Sequence, residues 1–181
     1  QDGAKYKSFE TKEEATKAFE KGYEHYLKTA SSSKAAAGLT PKTPVGKPIW
    51  ESLCVDAACS GNPGNMEYRG VYPPTMQEIF RIGPLKKGTN NIGEFLALVH
   101  GLALLKQKGS SLPIYSDSRN AIGWVKKKKC KTLLERVPEN EPIFDMIERA
   151  EKWLKTNTYT TPILKWETSE WGEIPADFGR K

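Results

Sequence analysis

Apolar positions recur along this chain with two different periods, and the switches between them predict its elements. Residues 50–59 hold an apolar run that stops at the Gly61-Asn62-Pro63-Gly64 turn, which reads as a buried strand. A second strand is expected over 67–72, ending at Pro73-Pro74, and a third over 76–82. Over 92–108 the period lengthens to that of a helix, with Phe95, Leu98, Leu102 and Leu105 on one side. Residues 112–116 form a short strand that delivers Asp117. Ala121, Ile122, Trp124 and Val125 then mark a helix running into the lysines at 126–129. Ile143, Met146, Ile147, Ala150 and Trp153 mark another over 142–155. A last strand at 163–167 precedes a loop containing Gly and Pro that reaches Asp177. The order β-β-β-α-β-α-α-β predicts an α/β fold with a sheet of mixed direction.

The first 48 residues have a different character. Residues 8–28 read as a helix: Thr11 and Glu14 make a capping box, and Ala15, Phe19 and Tyr23 recur at fourfold spacing. Ala18, Tyr26 and Leu27 widen that stripe, yet little beside it in sequence offers a surface to bury against. It is therefore expected to dock on a neighbouring surface or to be poorly ordered. Residues 29–48, rich in Ser, Ala, Pro, Gly and Lys without an aromatic residue, read as a flexible linker. The expected organisation is a helical appendage over 1–28, a linker over 29–48 and a principal domain over 49–181.

Composition narrows the classes of function. Of 181 residues, 38% are hydrophobic and 28% charged, and no apolar run approaches the ~18 needed to cross a bilayer. No secretory pattern opens the chain, which begins at Gln1 and reads as a fragment. Cys54, Cys59 and Cys130 cannot all pair, so reduced thiols and a cytoplasmic setting are expected. The net charge of +6 leaves a basic surface around whatever acids are drawn into a site. That arrangement suits a polyanion brought to cations, although charge alone also fits a merely soluble basic protein.

Four acids carry the chemistry: Asp56 in VDAACSGNPG, Glu94 in TNNIGEFLAL, Asp117 in IYSDSRNA and Asp177 in GEIPADFGRK. Each has a plain structural role open to it. Asp56 can cap the turn that follows, Asp117 can cap the helix beginning at Ser118, and Glu94 can favour a helix N-terminus. Yet an unpaired carboxylate in an apolar setting is costly unless it is protonated or bound to metal. In open α/β sheets, functional groups gather at strand ends where the strand order switches, so three elements can aim three carboxylates into one space. Ligation by oxygen alone selects Mg2+ or Mn2+ over zinc. Two such ions, ~4 Å apart, suit phosphodiester hydrolysis without a histidine nucleophile. His25 and His100 are accordingly expected to be structural.

DAACSGNPG at 56–64, TNNIGE at 89–94, SDS at 116–118 and a late Asp after a polar loop resemble type 1 ribonuclease H in order and spacing. The resemblance covers residues 49–181 and implies a mixed five-stranded sheet flanked by helices. It implies hydrolysis of the RNA strand of an RNA/DNA hybrid by two Mg2+ ions, with Mn2+ able to substitute, leaving 5′-phosphate and 3′-hydroxyl ends. Asp56, Glu94, Asp117 and Asp177 would be the catalytic metal ligands. Backbone groups near Ala57 and Cys59, with the side chains of Asn90 and Arg119, would meet RNA 2′-hydroxyls, and Asn62 and Asn91 the DNA strand. Asn90 is also a candidate helix cap. The partner implied is the hybrid itself, with no membrane, and the chain is expected to be monomeric. GAKYKSFETKEEATKAF resembles the end of the hybrid-binding domain that precedes many type 1 enzymes, whose earlier elements would lie before Gln1.

The sequence also departs from that family. A histidine is common in the loop before the last Asp, and none occurs here. Glu167 occupies its place by gapless counting, and Glu170 and Glu173 are the other candidates for a mobile proton-relaying group, each equally readable as a solvated loop charge. The chain ends four residues after Asp177, where many relatives continue into a helix. The lysines at 126–129 with Lys131 fall where some relatives carry a basic protrusion, and are equally a solvated helix end. Three competing readings remain open: a DNA nuclease of related fold, a hybrid-binding module without catalysis, and a plain structural α/β domain, which the motifs disfavour.

Overall fold

A computed structural model describes residues 45–179, which lie in the compact unit Val45–Lys181. The helix expected over 8–28, and the linker as far as residue 44, fall outside the described residues. The described chain forms β1 (Leu53–Cys59), β2 (Gly64–Tyr72), β3 (Gln77–Gly88), α1 (Asn90–Gln107), β4 (Ile114–Ser116) and α2 (Arg119–Lys126). A 3-10 turn (Pro138–Asn140) then leads into α3 (Glu141–Thr156), β5 (Ile163–Lys165) and α4 (Thr168–Trp171). The five strands make one sheet in the order β3-β2-β1-β4-β5. The first three form an antiparallel meander, and β1, β4 and β5 run parallel, so the sheet is mixed as expected.

The differences from the sequence reading are at element ends. β3 continues past residue 82 to Gly88, because it is an edge strand and can hold Pro84 while Met66 still pairs with Leu85 and Gly64 with Gly88. β4 and β5 are shorter than expected, three residues each. The supposed loop before Asp177 contains the single helical turn α4, too short to leave a periodic signal.

Alternation along β1 divides the molecule. Leu53, Val55 and Ala57 face the main core with Met66, Tyr68 and the apolar residues of α1, α2 and α3. Cys54 faces the other way, into a second cluster with Val71, Tyr115, Trp166, Ile174 and Ala176. Asp56, two residues on from Cys54, shares that second face. Helix α1 is buried on nearly every side, from Ile92 through Leu105, because it lies between the sheet and the other two long helices. Buried Asn140 holds the loop ahead of α3: its amide donates to Lys87 O and Glu135 O, and its Oδ1 accepts from Val137 N.

Close approach of α1 to β1 depends on Gly93. A Cβ there would sit 2.7 Å from the Ala57 methyl, which is fixed to the strand backbone and cannot turn away. Gly123, in α2, faces open space. Gly93→Ala is therefore expected to destabilise by ~1–3 kcal/mol through overpacking. Gly123→Ala should stabilise by up to ~1 kcal/mol through helix propensity. Urea unfolding of both variants checks the pair, and equal signs would contradict this packing.

Candidate metal centre

The register explains how two of the acids meet. Leu53 pairs with Ile114 and Cys54 with Tyr115 across the parallel β1 and β4. Continuing that register by two residues brings Asp117 beside Asp56, at the carboxyl ends of adjacent parallel strands. Glu94 arrives from the second turn of α1, held there by the close approach of Gly93 to Ala57. Asp56, Glu94 and Asp117 each offer an oxygen, and the three oxygens lie within 4.8 Å of one another.

None of the three acids plays the plain structural role open to it. The cap of α1 is Thr89, whose Oγ1 accepts from Ile92 N, and Asn90 instead donates its side-chain amide to Glu94 Oε1 at 2.9 Å. The cap of α2 is Ser118, not Asp117: Ser118 Oγ accepts from Ala121 N at 3.1 Å. The turn after β1 is closed by Ser60, whose hydroxyl accepts from Asn65 N. Polar neighbours have taken the capping work and left the carboxylates facing each other.

Electrostatics follow from that crowding. Burial, and then the neighbouring Asp117 carboxylate, push Asp56 up to about 8, with Glu94 and Asp177 adding to the rise. Burial pushes Glu94 up to about 7, against the lowering effect of hydrogen bonds from Ser118 and Asn90. Asp117 is raised as well, by burial first; Lys165 opposes the rise, and Glu173 and Asp177 add to it. A group of acids this reluctant to ionise, offering only oxygen donors, fits a hard divalent cation such as Mg2+ or Mn2+.

Asp177 stands beside this trio rather than within it. Its charge reaches both Asp56 and Asp117, while its Oδ2 accepts from Gly179 N at 2.8 Å. Of the three loop glutamates, Glu173 is the one whose charge reaches Asp117. Glu167 caps α4 by position, and Glu170 lies within that turn. The remaining expected contact residues sit at the same end of the sheet. Buried Ala57 and half-buried Cys59 close β1, with Cys59 Sγ donating to Gly88 O just before α1. Asn62 is exposed in the following turn, Asn90 and Asn91 are exposed at the start of α1, and Arg119 is exposed at the start of α2.

Two expectations about other residues can be compared directly. His100 is a packing residue, stacked on Phe80 at 3.9 Å between ring centroids and hydrogen-bonded to Tyr68. Within the lysine run, Lys129 is engaged by buried Glu151 at 3.0 Å, and Glu151 also accepts from Cys130 N. Three nearby residues escaped sequence reasoning. Ser118 and Lys165 sit at the ends of strands or helices bordering the switch point, which is the signal that marks them. Arg69 needed the strand register.

The RNase H family model matches residues 51–165. A ribonuclease H of Rickettsia bellii is 31% identical over 137 residues, covering 69% of this chain and 83% of that protein. A ribonuclease H of Rhodopirellula baltica is 41% identical over 75 residues, covering 40% of this chain. The chain spans just under half, 46%, of that relative's length. Among solved structures, the N-terminal RNase H domain of rv2228c from Mycobacterium tuberculosis, a maltose-binding-protein fusion, superimposes with a TM-score of 0.42 at 15% identity. It covers 66% of this chain and 89% of that one. On the family model and the Rickettsia relative, this chain belongs to the RNase H family.

The raised carboxylates give the metal-free protein a distinctive pH response. An acid with a raised folded pKa binds its proton more tightly folded than unfolded. Its stabilising contribution is complete below the unfolded carboxylate range and is lost as pH rises through the folded value. With Asp56 near 8 and Glu94 near 7, the loss spans roughly pH 4 to 8. In EDTA, the Tm should therefore fall across that window, and Asp56→Asn should flatten the fall. An unchanged slope in the variant would contradict the burial of that charge.

Proposed function

We propose that this chain is an endonuclease that hydrolyses the RNA strand of RNA/DNA hybrids, leaving 5′-phosphate and 3′-hydroxyl ends. The observation that carries the proposal is the convergence of Asp56, Glu94 and Asp117 within 4.8 Å, in a member of the RNase H family. Asp56, Glu94, Asp117 and Asp177 would hold two Mg2+ ions, with Mn2+ able to substitute. Bound there, such cations would supply a lowered pKa for an attacking water and charge neutralisation at the scissile phosphate.

The chain's own residues do the rest. Asn90 and Ser118 fix the orientation of Glu94 through hydrogen bonds to its carboxylate. Exposed Asn90 and Arg119, with backbone groups near Ala57 and Cys59, would read 2′-hydroxyls across a shallow minor groove. Asn62 and Asn91 would touch the DNA strand. That division would put RNA against the end of the sheet where the carboxylates gather. Glu173, whose charge reaches Asp117, is the loop glutamate best situated to take a proton or ease product release. The exposed lysines near the end of α2 would add affinity by counterion release.

A labelled RNA/DNA hybrid compared with matched RNA/RNA and DNA/DNA duplexes tests this directly. Cleavage of the hybrid RNA alone, abolished by EDTA, is expected. Asp117→Asn should lower kcat by more than ~100-fold, since even residues that only support a ligand cost ~10- to 100-fold. Cleavage of a DNA duplex would favour a DNA nuclease. Tight hybrid binding without Mg2+-dependent cleavage would favour a binding module.

A further inference from the structure

Asp56, Arg69 and Arg81 form one row across the first three strands. Asp56 pairs in register with Arg69 on β2, and Arg69 pairs with Arg81 on β3. Directly paired residues project to the same face, here the face that carries Cys54 and Val71. The segment leading to Asp177 lies over that face, with Ile174 and Ala176 buried in the same cluster as Cys54 and Val71. A long cation beside a buried carboxylate would ordinarily neutralise it. Arg69 does something else.

The Arg69 guanidinium reaches the loop backbone at two consecutive carbonyls. Nε donates to Ala176 O at 2.8 Å and Nη2 to Asp177 O at 2.6 Å. The third nitrogen, Nη1, pairs with Glu78 at 3.1 Å on β3. Next in sequence, the Phe178 ring lies under both guanidinium groups, 4.8 Å from Arg69 and 5.2 Å from Arg81. Arg81 is in turn held by two hydrogen bonds to Glu67 Oε2. A fork that spans two carbonyls, backed by a stacked ring, fixes both the position and the direction of the loop at Asp177. Lysine offers no fork and can satisfy these carbonyls only one at a time.

We propose that Arg69 is a positioning residue for the metal centre: by clamping the Ala176 and Asp177 carbonyls to β2, it sets the Asp177 carboxylate against Asp56 and Asp117. This deepens the functional reading above and rests on Asp177 serving that centre. Arg69 is assigned a role through the backbone carbonyls of Ala176 and Asp177, not through substrate. The same clamp fixes the end of the five-residue stretch from Glu173 to Asp177, so it also limits where Glu173 can reach.

The test uses the full chain with Arg69→Ala, Arg69→Lys and Glu78→Gln. Glu78→Gln removes the ion pair of the same guanidinium and leaves both loop carbonyls bound. Mn2+ affinity by calorimetry, and kcat and KM on the hybrid, are read alongside Tm and near-ultraviolet circular dichroism. Arg69→Ala should weaken Mn2+ binding and lower kcat by roughly 10-fold or more, with KM for hybrid little changed. Arg69→Lys should recover part of both losses, and Glu78→Gln should match the wild type. Wild-type Mn2+ affinity in Arg69→Ala, an equal loss in Glu78→Gln, or a loss confined to KM would each overturn the clamp. Should Arg69→Ala not fold, Arg69→Gln replaces it, and undiminished Mn2+ affinity in that variant overturns the proposal equally. A wild type that binds Mn2+ but leaves hybrid intact would sink the functional reading while the calorimetry still decides the clamp.

Discussion

Three carboxylates share one small, largely buried space at the junction of β1, β4 and α1, and much of the surrounding structure is arranged to make that tolerable. Like charges at this distance, away from water, oppose one another's ionisation, and burial opposes it further. Without a cation the chain meets the cost by holding protons, which is why Asp56 rises to about 8 and Glu94 to about 7. With a cation it would meet the cost by coordination. Asn90, Ser118 and Lys165 temper the repulsion, although the carboxylates remain raised. The site is thus held short of full compensation by protein groups alone, which is the condition under which a divalent ion gains most.

The scaffold delivers this arrangement from separate directions. Parallel pairing of β1 with β4 aligns Asp56 and Asp117, and glycine at position 93 lets α1 approach closely enough for Glu94 to join them. The loop carrying Asp177 belongs to the opposite face, packed through Trp166, Ile174 and Ala176. Aromatic contacts among Tyr115, Trp166 and Trp171 anchor its beginning, and the Arg69 fork anchors its end. Rigid strands therefore set two of the acids, a helix start sets one, and a fastened loop places the fourth beside them. That gradation explains why the three lie within ligating distance of each other while Asp177 stands to one side.

Much of this was legible in the sequence, because the periods of β1, α1 and α3 are strong and the DAACSGNPG and TNNIGE contexts are specific. What could not be read had physical reasons. The ends of β3 depend on pairing with β2, so no local pattern reveals that it continues through Pro84. The capping roles went to Thr89 and Ser118 rather than to Asn90 and Asp117, a choice between adjacent polar residues that only geometry decides. Arg69 looks like any exposed strand residue until the register sets it beside Asp56. Among Glu167, Glu170 and Glu173, gapless counting favours the first, whereas the turn of helix at Thr168–Trp171 redirects the loop so that Glu173 carries charge to Asp117.

The central claim is that a divalent cation displaces protons from this carboxylate cluster. Calorimetric titration of Mg2+ into the metal-free chain, in buffers of different ionisation heat, counts the protons released. Near pH 7, with Asp56 largely protonated and Glu94 partly so, binding should release about one proton or slightly more, falling toward zero near pH 9. Binding without proton release at either pH, or no binding at all, would contradict the account.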